Sequence, residues 1–235
     1  MIKQIQLLGM TFPNYSLRDE LQLAQELLRG ERLGITLTIS MQSLMKVSSG
    51  DLEEEKAFVE QADLLVIEDP EILDVAGIVS GQRIREASEH LFFKEFLKRL
   101  QRMEKSLYLV AAKDAPLAQI TEILTEHCSR LNILGSYSLE EYPEDYDRMI
   151  NEINAAAPDV ILSVLPTPMQ EEFLLKNRSK LSAGLWYGLG ENYGLLVEKK
   201  GLGWRMKHLI HLGRFKRHVN RYDEEGEQQN EEMIP

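Results

Sequence analysis

Short apolar runs alternate along the chain with longer segments in which apolar residues recur every three or four positions. Such runs are typical of buried strands, and the periodic segments are typical of amphipathic helices. The predicted strands cover residues 4–10, 35–39, 63–67, 107–111, 132–134, 160–165 and 184–188. The predicted helices cover a segment from Ser16 to Gly30, then 42–45, 52–61, 88–103, 116–127, 145–156 and the residues after Pro168. Repeated strand-then-helix units predict an α/β fold, with a mainly parallel sheet covered by helices on both faces.

The strand predicted at residues 160–165 leads directly into a helix whose first turn holds Pro168, Gln170 and Glu171. In an open parallel sheet, ligands bind at the carboxyl ends of the strands. We therefore expect the polar side chains of Gln170 and Glu171 to face a ligand crevice. Acids in a first helical turn are common, however, so the same residues also fit an ordinary helix start.

Polar residues also follow the second and third strands of the predicted sheet. Thr38, Ser40 and Gln42 follow the second strand. The third is followed by a cluster of carboxylates, at Glu68, Asp69, Glu71 and Asp74. Each set has a structural alternative, because Thr38 suits a strand and acids near a helix N-terminus favour that helix.

Composition favours one large domain and argues against a secreted or membrane-spanning protein. The chain has 235 residues and is 43% hydrophobic, which suits one large α/β domain with an appendage. The N-terminus is too polar for a signal peptide, and no run approaches the ~18 apolar residues of a membrane span, so we expect a cytoplasmic protein. The single cysteine, Cys128, is interpreted as a small core residue.

Charge is distributed unevenly within the net charge of −11. Residues 199–222 hold eight Lys or Arg and no acid, whereas residues 223–235 hold six acids and no Lys or Arg. We predict three parts: an α/β domain at 1–198, a basic amphipathic appendage at 199–222 and a disordered acidic tail at 223–235. The basic helix could bind an anionic membrane surface, or it could dock on its own domain with a solvated basic edge. The chain lacks the interleaved aromatic and basic residues that would indicate nucleic-acid binding.

Several kinds of site lack their motifs. Gly188-Leu189-Gly190 is a weak nucleotide signal, since no phosphate-loop Lys-Ser/Thr accompanies it. His208 and His211 lie in the basic segment without a neighbouring carboxylate, so no metal site is predicted. A serine-hydrolase elbow is also absent.

The order of several short segments resembles one known family. The segments are Leu7-Leu8-Gly9-Met10-Thr11-Phe12-Pro13-Asn14, Leu37-Thr38-Ile39-Ser40-Met41-Gln42, Ala62-Asp63-Leu64-Leu65-Val66, Leu131-Asn132-Ile133-Leu134-Gly135, Ala157-Pro158-Asp159, Pro168-Met169-Gln170-Glu171 and Asn177-Arg178. Together they resemble the WecG/TagA/CpsF glycosyltransferases, family 26, over nearly the whole chain.

The resemblance implies a Rossmann-like, metal-independent enzyme that needs no cofactor. Such an enzyme would move a sugar, for example N-acetylmannosamine, from a UDP donor to an undecaprenyl-diphosphate-linked acceptor in teichoic acid or capsule synthesis. It would act at the inner face of the plasma membrane, where its appendage binds peripherally. By position, the implied catalytic residues are Thr38, Glu68 and Asp69. The implied substrate-binding residues are Ser40, Gln42, Arg85, Gln170, Glu171, Arg214, Arg217 and Arg221.

This sequence also departs from the family pattern near the implied catalytic residues. Glu68 and Asp69 stand where the family has Asp-Gly, and Ser40 stands where it has asparagine. The resemblance to the family is thus closer in the segments that form the fold than at the implied active site. Two hypotheses follow: an enzyme with altered substrates, or a degenerate paralogue that acts as a non-catalytic partner. A homo-oligomer or a complex with an active homologue is compatible with either.

Overall fold

A six-stranded parallel sheet forms the centre of the computed structural model, which describes residues 3–49, 52–143, 145–191, 193 and 202–232. In the last segment, side chains are described from 209 to 224. The strands are β1 (Lys3–Leu7), β2 (Met10–Asn14), β3 (Gly34–Ile39), β4 (Leu64–Ile67), β5 (Ser106–Ala111), β6 (Asn132–Ser138), β7 (Val160–Ser163) and β8 (Leu185–Gly188). Strands β3 to β8 make up the parallel sheet, in the order β4-β3-β8-β7-β5-β6. This confirms the predicted α/β class.

Helices cover both faces of the sheet. They are α1 (Leu17–Leu27), α2 (Met41–Val47), α3 (Glu53–Glu60), α4 (Pro70–Val75), α5 (Gly81–Ser88), α6 (Leu91–Arg102), α7 (Asp114–His127), α8 (Tyr146–Ala156), α9 (Met169–Asn177) and α10 (Leu202–Glu232). Ser16, where the first helical segment is predicted to begin, caps α1, and its Oγ accepts from the Asp19 amide at 3.3 Å. A 3-10 turn, Arg178–Lys180, follows α9.

The two faces bury separate hydrophobic cores. One core packs α2, α3, α8 and α9 against the sheet, and the other packs α1, α6 and α7 against the opposite face. Strand β3 gives Ile35, Leu37 and Ile39 to the first core. Because side chains alternate along a strand, Thr36 and Thr38 point to the second face, and both are buried. Strand β3 therefore presents two threonines to the second face, where the neighbouring strands present apolar side chains.

The N-terminal strand predicted at residues 4–10 is wrong in its extent. Strands β1 and β2 form an antiparallel hairpin in a sheet of their own, with Leu7 paired to Met10. The turn between them holds Leu8 and Gly9, both with positive φ. Leu8 is still 1% exposed, so burial of the hairpin against the first core offsets the cost of its left-handed backbone.

The helix predicted at 88–103 is also divided. The chain breaks at His90, whose φ of 50° is left-handed, and α6 starts at Leu91. A continuous apolar periodicity cannot reveal such a break, because residues on both sides remain helical.

The C-terminal helix, predicted as a basic amphipathic helix, docks on the domain through apolar side chains in its middle. Phe215 is 0% exposed and Val219 is 6% exposed, both within the first core. The Tyr222 hydroxyl lies against Gly9 of the hairpin turn. Of the two alternatives for this helix, docking on the domain is the one observed.

The acidic segment after Tyr222 differs from its prediction as a disordered tail. Helix α10 continues through it to Glu232. Glu and Gln are good helix formers, and each residue added to an existing helix gains a backbone hydrogen bond, so the helix does not have to end where the charge changes sign. The three-part division of the chain remains a prediction.

Candidate active site

The polar residues that follow β3, β4 and β7 meet at one edge of the sheet, because all six strands are parallel. The chain leaves β3 for the edge strand β4, whereas β8 lies on the other side of β3 and pairs with β7. Such a reversal of strand order is the place where open α/β sheets bind ligands. The candidate site, where the sequence predicts a ligand crevice, is therefore the edge formed by the carboxyl ends of β3, β8 and β7.

Gln170 lies across the end of β8 at the centre of this edge. Its Oε1 accepts a hydrogen bond from Trp186 Nε1 at 3.3 Å, and its side chain is almost fully buried. A Cβ placed on Gly188 would approach Gln170 Oε1 to 2.3 Å. Gly188 is thus the residue that lets the Gln170 amide rest directly on the strand.

Glu171 is buried next to Gln170. Its Oε1 accepts from the Thr167 hydroxyl at 3.2 Å, while Oε2 has no hydrogen-bond partner within the described part of the chain. Burial raises the pKa of Glu171 to about 7, and the hydrogen bonds from its own backbone, Thr167 and Gln170 oppose that shift. Glu171 therefore holds its proton more tightly than a free glutamate does.

Lys46 connects α2 to both loops of the crevice. Its Nζ donates to the Thr167 carbonyl at 3.0 Å and lies 3.1 Å from Glu191 Oε1, just beyond β8. Both partners of this ion pair are partly exposed, so it contributes little to stability. The sequence gives no local signal for this position, since Lys46 reads as an ordinary helix lysine.

The carboxylates after β4 point to two different neighbours. Glu68 Oε1 accepts from the Phe93 amide of α6 at 3.1 Å. Asp69 Oδ2 accepts from the Met41 amide of α2 at 3.2 Å. Burial, together with a hydrogen bond to Glu71, raises the pKa of Asp69 to about 8. The Asp69 carboxyl group therefore holds its proton more tightly than a free aspartate does.

Thr38 lies beside the Glu68 corner on the second face of the sheet. Its Oγ1 donates to the Tyr187 hydroxyl at 3.4 Å. The Tyr187 ring is fully buried and packs against Phe93 and two other phenylalanines of α6, at centroid distances of 5.4 to 6.4 Å. Burial raises the pKa of Tyr187, and the charge of Glu68 adds to that shift. Tyr187 is a residue of this corner that sequence reasoning missed, because it lies inside an apolar strand.

A buried cluster of charged side chains from α1 and α5 lies near Glu68. Arg83 Nη2 pairs with Glu20 Oε1 at 2.6 Å, and Arg83 Nη1 lies 3.4 Å from Glu86 Oε2. Arg83 Nε also donates to Asn14 Oδ1 at 3.0 Å, which joins α5 to the hairpin. Burial raises the pKa of Glu20 to about 8, with Arg83 opposing and Glu68 reinforcing the shift.

The side chains of Ser40 and Gln42 make structural contacts of helix α2. Ser40 is the N-cap of α2, and its Oγ accepts from the Ser43 amide at 3.1 Å. Gln42 Nε2 lies 2.7 Å from His211 Nδ1 of α10, and Ser48 Oγ lies 2.9 Å from His218 Nε2. These contacts place α10 alongside α2, next to the crevice.

The four predicted arginines lie on the surface. Arg214, Arg217 and Arg221 are exposed on α10, and Arg217 Nε donates to the Gly213 carbonyl at 3.1 Å. Arg85 is exposed on α5 and pairs with Glu89 at 3.0 Å. Within the part of the chain that the structure describes, Arg85 makes no hydrogen bond or ion pair with the other predicted site residues. The structure thus brings the α10 arginines beside α2, and it leaves Arg85 on the outer side of α5.

Metal and membrane features are absent from the described ranges. No group of three or more His, Cys, Asp or Glu side chains in these ranges could hold a metal ion. Nor does any helix, as far as the structure describes the chain, have the length and apolar character needed to cross a bilayer.

Comparison with known proteins gives one family. The model of the glycosyl transferase WecG/TagA/CpsF family matches residues 5–200, which include the whole crevice. It is a glycosyltransferase family involved in cell-surface polysaccharide synthesis. A comparison with curated proteins gives no significant match.

Proposed function

Because the chain belongs to the WecG/TagA/CpsF glycosyltransferase family, we propose that it transfers a sugar from a UDP donor to an undecaprenyl-diphosphate-linked acceptor. The donor sugar is N-acetylmannosamine or a related hexose, and the product is a cell-surface polysaccharide or teichoic acid. One observation carries the proposal: the family's Gln-Glu pair, Gln170 and Glu171, is buried at the carboxyl end of the sheet where strand order reverses.

The crevice offers groups of the kind that a nucleoside-diphosphate sugar needs. Gln170 supplies an amide, and Thr38 supplies a hydroxyl on the adjoining strand. Lys46 is a cation held by a weak, partly exposed ion pair with Glu191, so a diphosphate could replace the Glu191 carboxylate. Amide and ammonium donors fit the sugar and the diphosphate of the donor, and the Thr38 hydroxyl lies on the opposite face of the sheet, with Tyr187.

The acceptor hydroxyl needs a base within hydrogen-bond reach, and the carboxylates after β4 are the candidates. Glu68 fits better than Asp69, because burial and the contact with Glu71 raise the pKa of Asp69 to about 8. A protonated carboxyl group cannot accept the proton of the acceptor. We therefore assign base function to the corner that contains Glu68.

Helix α10 provides the cations for the anionic acceptor. It docks through Phe215 and Val219 and leaves Arg214, Arg217 and Arg221 exposed. Basic side chains near an anionic membrane contribute about 1 kcal/mol each. Leu209 and Ile210 are 65% and 52% exposed at the start of the described stretch, so apolar contact could add to that attraction. The proposed location is thus peripheral, at the inner face of the plasma membrane.

The test is release of UDP from UDP-N-acetylmannosamine in the presence of an undecaprenyl-diphosphate-linked acceptor. We expect turnover by the wild-type protein, a large loss in Glu68→Ala and a smaller loss in Asp69→Ala. A control is Glu126→Ala, which removes an exposed carboxylate of α7 and should leave turnover unchanged. Full activity in the Glu68→Ala, Asp69→Ala double variant would remove the base role from both residues.

A non-catalytic role is the second candidate, and one observation favours it. Ser40, at the position of the family's asparagine, uses its hydroxyl to cap α2, so this family position no longer offers a free side chain to a substrate. A protein of this kind would bind an active homologue or a lipid-linked sugar. Wild-type protein that is well folded but neither binds nor turns over UDP-sugars would favour this role.

A further inference from the structure

Glu68 and His90 form a carboxylate-imidazole pair at the end of β4. Glu68 Oε2 lies 3.7 Å from His90 Nδ1, and the two side chains are 5% and 13% exposed. Nδ1 is buried and has no hydrogen-bond partner among the described residues. The exposed part of the side chain therefore lies on atoms other than Nδ1. At this distance the carboxylate pairs with the ring when the ring is protonated, and the hydrogen bond that orients a histidine base in catalytic triads would need a closer approach of the two groups.

The His90 side chain does not cap the helix that it begins. His90 is the N-cap of α6, where Ser, Thr, Asp or Asn would normally accept a hydrogen bond from the first turn, yet its side chain makes no such bond. The capping bond to the Phe93 amide comes instead from Glu68, 25 positions earlier. The imidazole is thereby released from helix capping.

The backbone of His90 carries a cost as well. Its φ of 50° is left-handed, a conformation that costs roughly 1–2 kcal/mol for a residue with a Cβ. Glycine or asparagine would adopt it more easily. Strained residues of this kind are concentrated at functional sites.

The pair is adjacent to the crevice residues of the neighbouring strands. Phe93, whose amide binds Glu68, packs on the Tyr187 ring at 6.4 Å between centroids. Tyr187 in turn accepts a hydrogen bond from Thr38. A chain of contacts therefore runs from His90 to Glu68, then through Phe93 and Tyr187 to Thr38 on β3.

We infer that His90 is the group that takes the acceptor's proton, with Glu68 as its positioning residue. This inference rests on the proposed transferase function. In the reaction, the acceptor oxygen forms a bond to the anomeric carbon while the bond from that carbon to the diphosphate oxygen breaks. UDP leaves with the electron pair, and the acceptor's proton moves to the free ring nitrogen of His90. Glu68 stabilises the resulting imidazolium, which then loses its proton to water.

The test uses variants that keep the left-handed backbone. His90→Asn and His90→Gly both tolerate positive φ, and His127→Asn, on the exposed end of α7, is the matched control. UDP release from UDP-N-acetylmannosamine with the lipid-linked acceptor is measured with and without added imidazole, and UDP binding is measured by calorimetry. General-base catalysis contributes about 10²–10⁴-fold, so we expect a loss of kcat of that size in both His90 variants. UDP affinity and the control should be unchanged.

Imidazole separates a chemical role from a structural one. It should restore turnover in His90→Gly, where the ring has left a space, and it should not do so in Glu68→Gln, where His90 remains. Glu68→Gln keeps an oxygen to cap α6 but loses the charge, so it should fold normally and lose turnover.

Each contrary result has a distinct meaning. Wild-type turnover in His90→Asn, or a loss in His90→Gly that imidazole does not restore, would overturn the role of His90 alone. A wild-type protein without turnover would overturn the transferase function and the His90 role together.

Discussion

Replacing Gly188 with alanine would push a methyl group into the space that the Gln170 amide occupies. The new Cβ would lie 2.3 Å from Gln170 Oε1 and 2.6 Å from its Cδ and Nε2. The amide is the flexible end of its side chain, but Gln170 is only 3% exposed, so little open space is available to receive it. We therefore expect the amide to leave its position and the bond from Trp186 Nε1 to break.

The size of the effect follows from two costs. An unsatisfied buried donor costs about 1–3 kcal/mol, and overpacking of a core costs a further 1–3 kcal/mol or so. Because moving the amide relieves the crowding, we expect a loss of about 3 kcal/mol in the free energy of unfolding. Urea unfolding followed by tryptophan fluorescence would measure it.

A double-mutant cycle isolates the contact. In a Gln170→Ala background, a methyl group on Gly188 no longer meets the amide, so Gly188→Ala should cost less than about 1 kcal/mol there, giving a coupling energy of about 2 kcal/mol. Equal costs of Gly188→Ala in the two backgrounds would refute the placement of Gln170 on β8.

Three further predictions concern α10 and Glu171. Phe215→Ala should cost about 3–5 kcal/mol because Phe215 is fully buried; faster amide exchange along 209–224 would report it, whereas Leu209→Ala, at a 65% exposed position, should stay within about 0.5 kcal/mol of wild type. Gly213→Ala should add up to about 1 kcal/mol of stability, since the new Cβ meets nothing within 4 Å and alanine favours a helix; unchanged or lower stability in urea would contradict this. The pKa of Glu171 is raised to about 7, so the folded state holds the proton more tightly, and stability should fall as pH rises from about 4.5 to 7. Glu171→Gln should remove that part of the pH dependence, on the order of 3 kcal/mol, and an unchanged pH profile would show that Glu171 is not buried as described.

The parallel sheet was predictable because its strands are continuous apolar runs, a pattern that depends on local sequence alone. Residues 35–39 and 160–165 were predicted close to the observed β3 and β7. The hairpin was missed because its turn contains Leu8 in a left-handed conformation, for which leucine gives no signal. Packing against the first core, rather than turn chemistry, stabilises that backbone.

The candidate site was predictable in its location and not in its detail. Parallel strands bring their carboxyl ends to one edge, so Thr38, Glu68 and Gln170 could be assigned to that edge from sequence. Their partners could not be, because each contact spans many residues: Glu68 binds the Phe93 amide and Thr38 binds Tyr187. The sequence also left the docking of α10 open, since an amphipathic stripe fits a membrane and a protein core equally well.

The most direct test of the transferase account is a calorimetric titration of the wild-type protein with UDP. The account predicts saturable binding with one site per chain and a Kd on the order of micromolar, as for typical nucleotide substrates, and weaker binding in Gln170→Ala. A folded wild-type protein that gives no binding heat with UDP or UDP-N-acetylmannosamine would contradict the assignment of the crevice to a UDP-sugar.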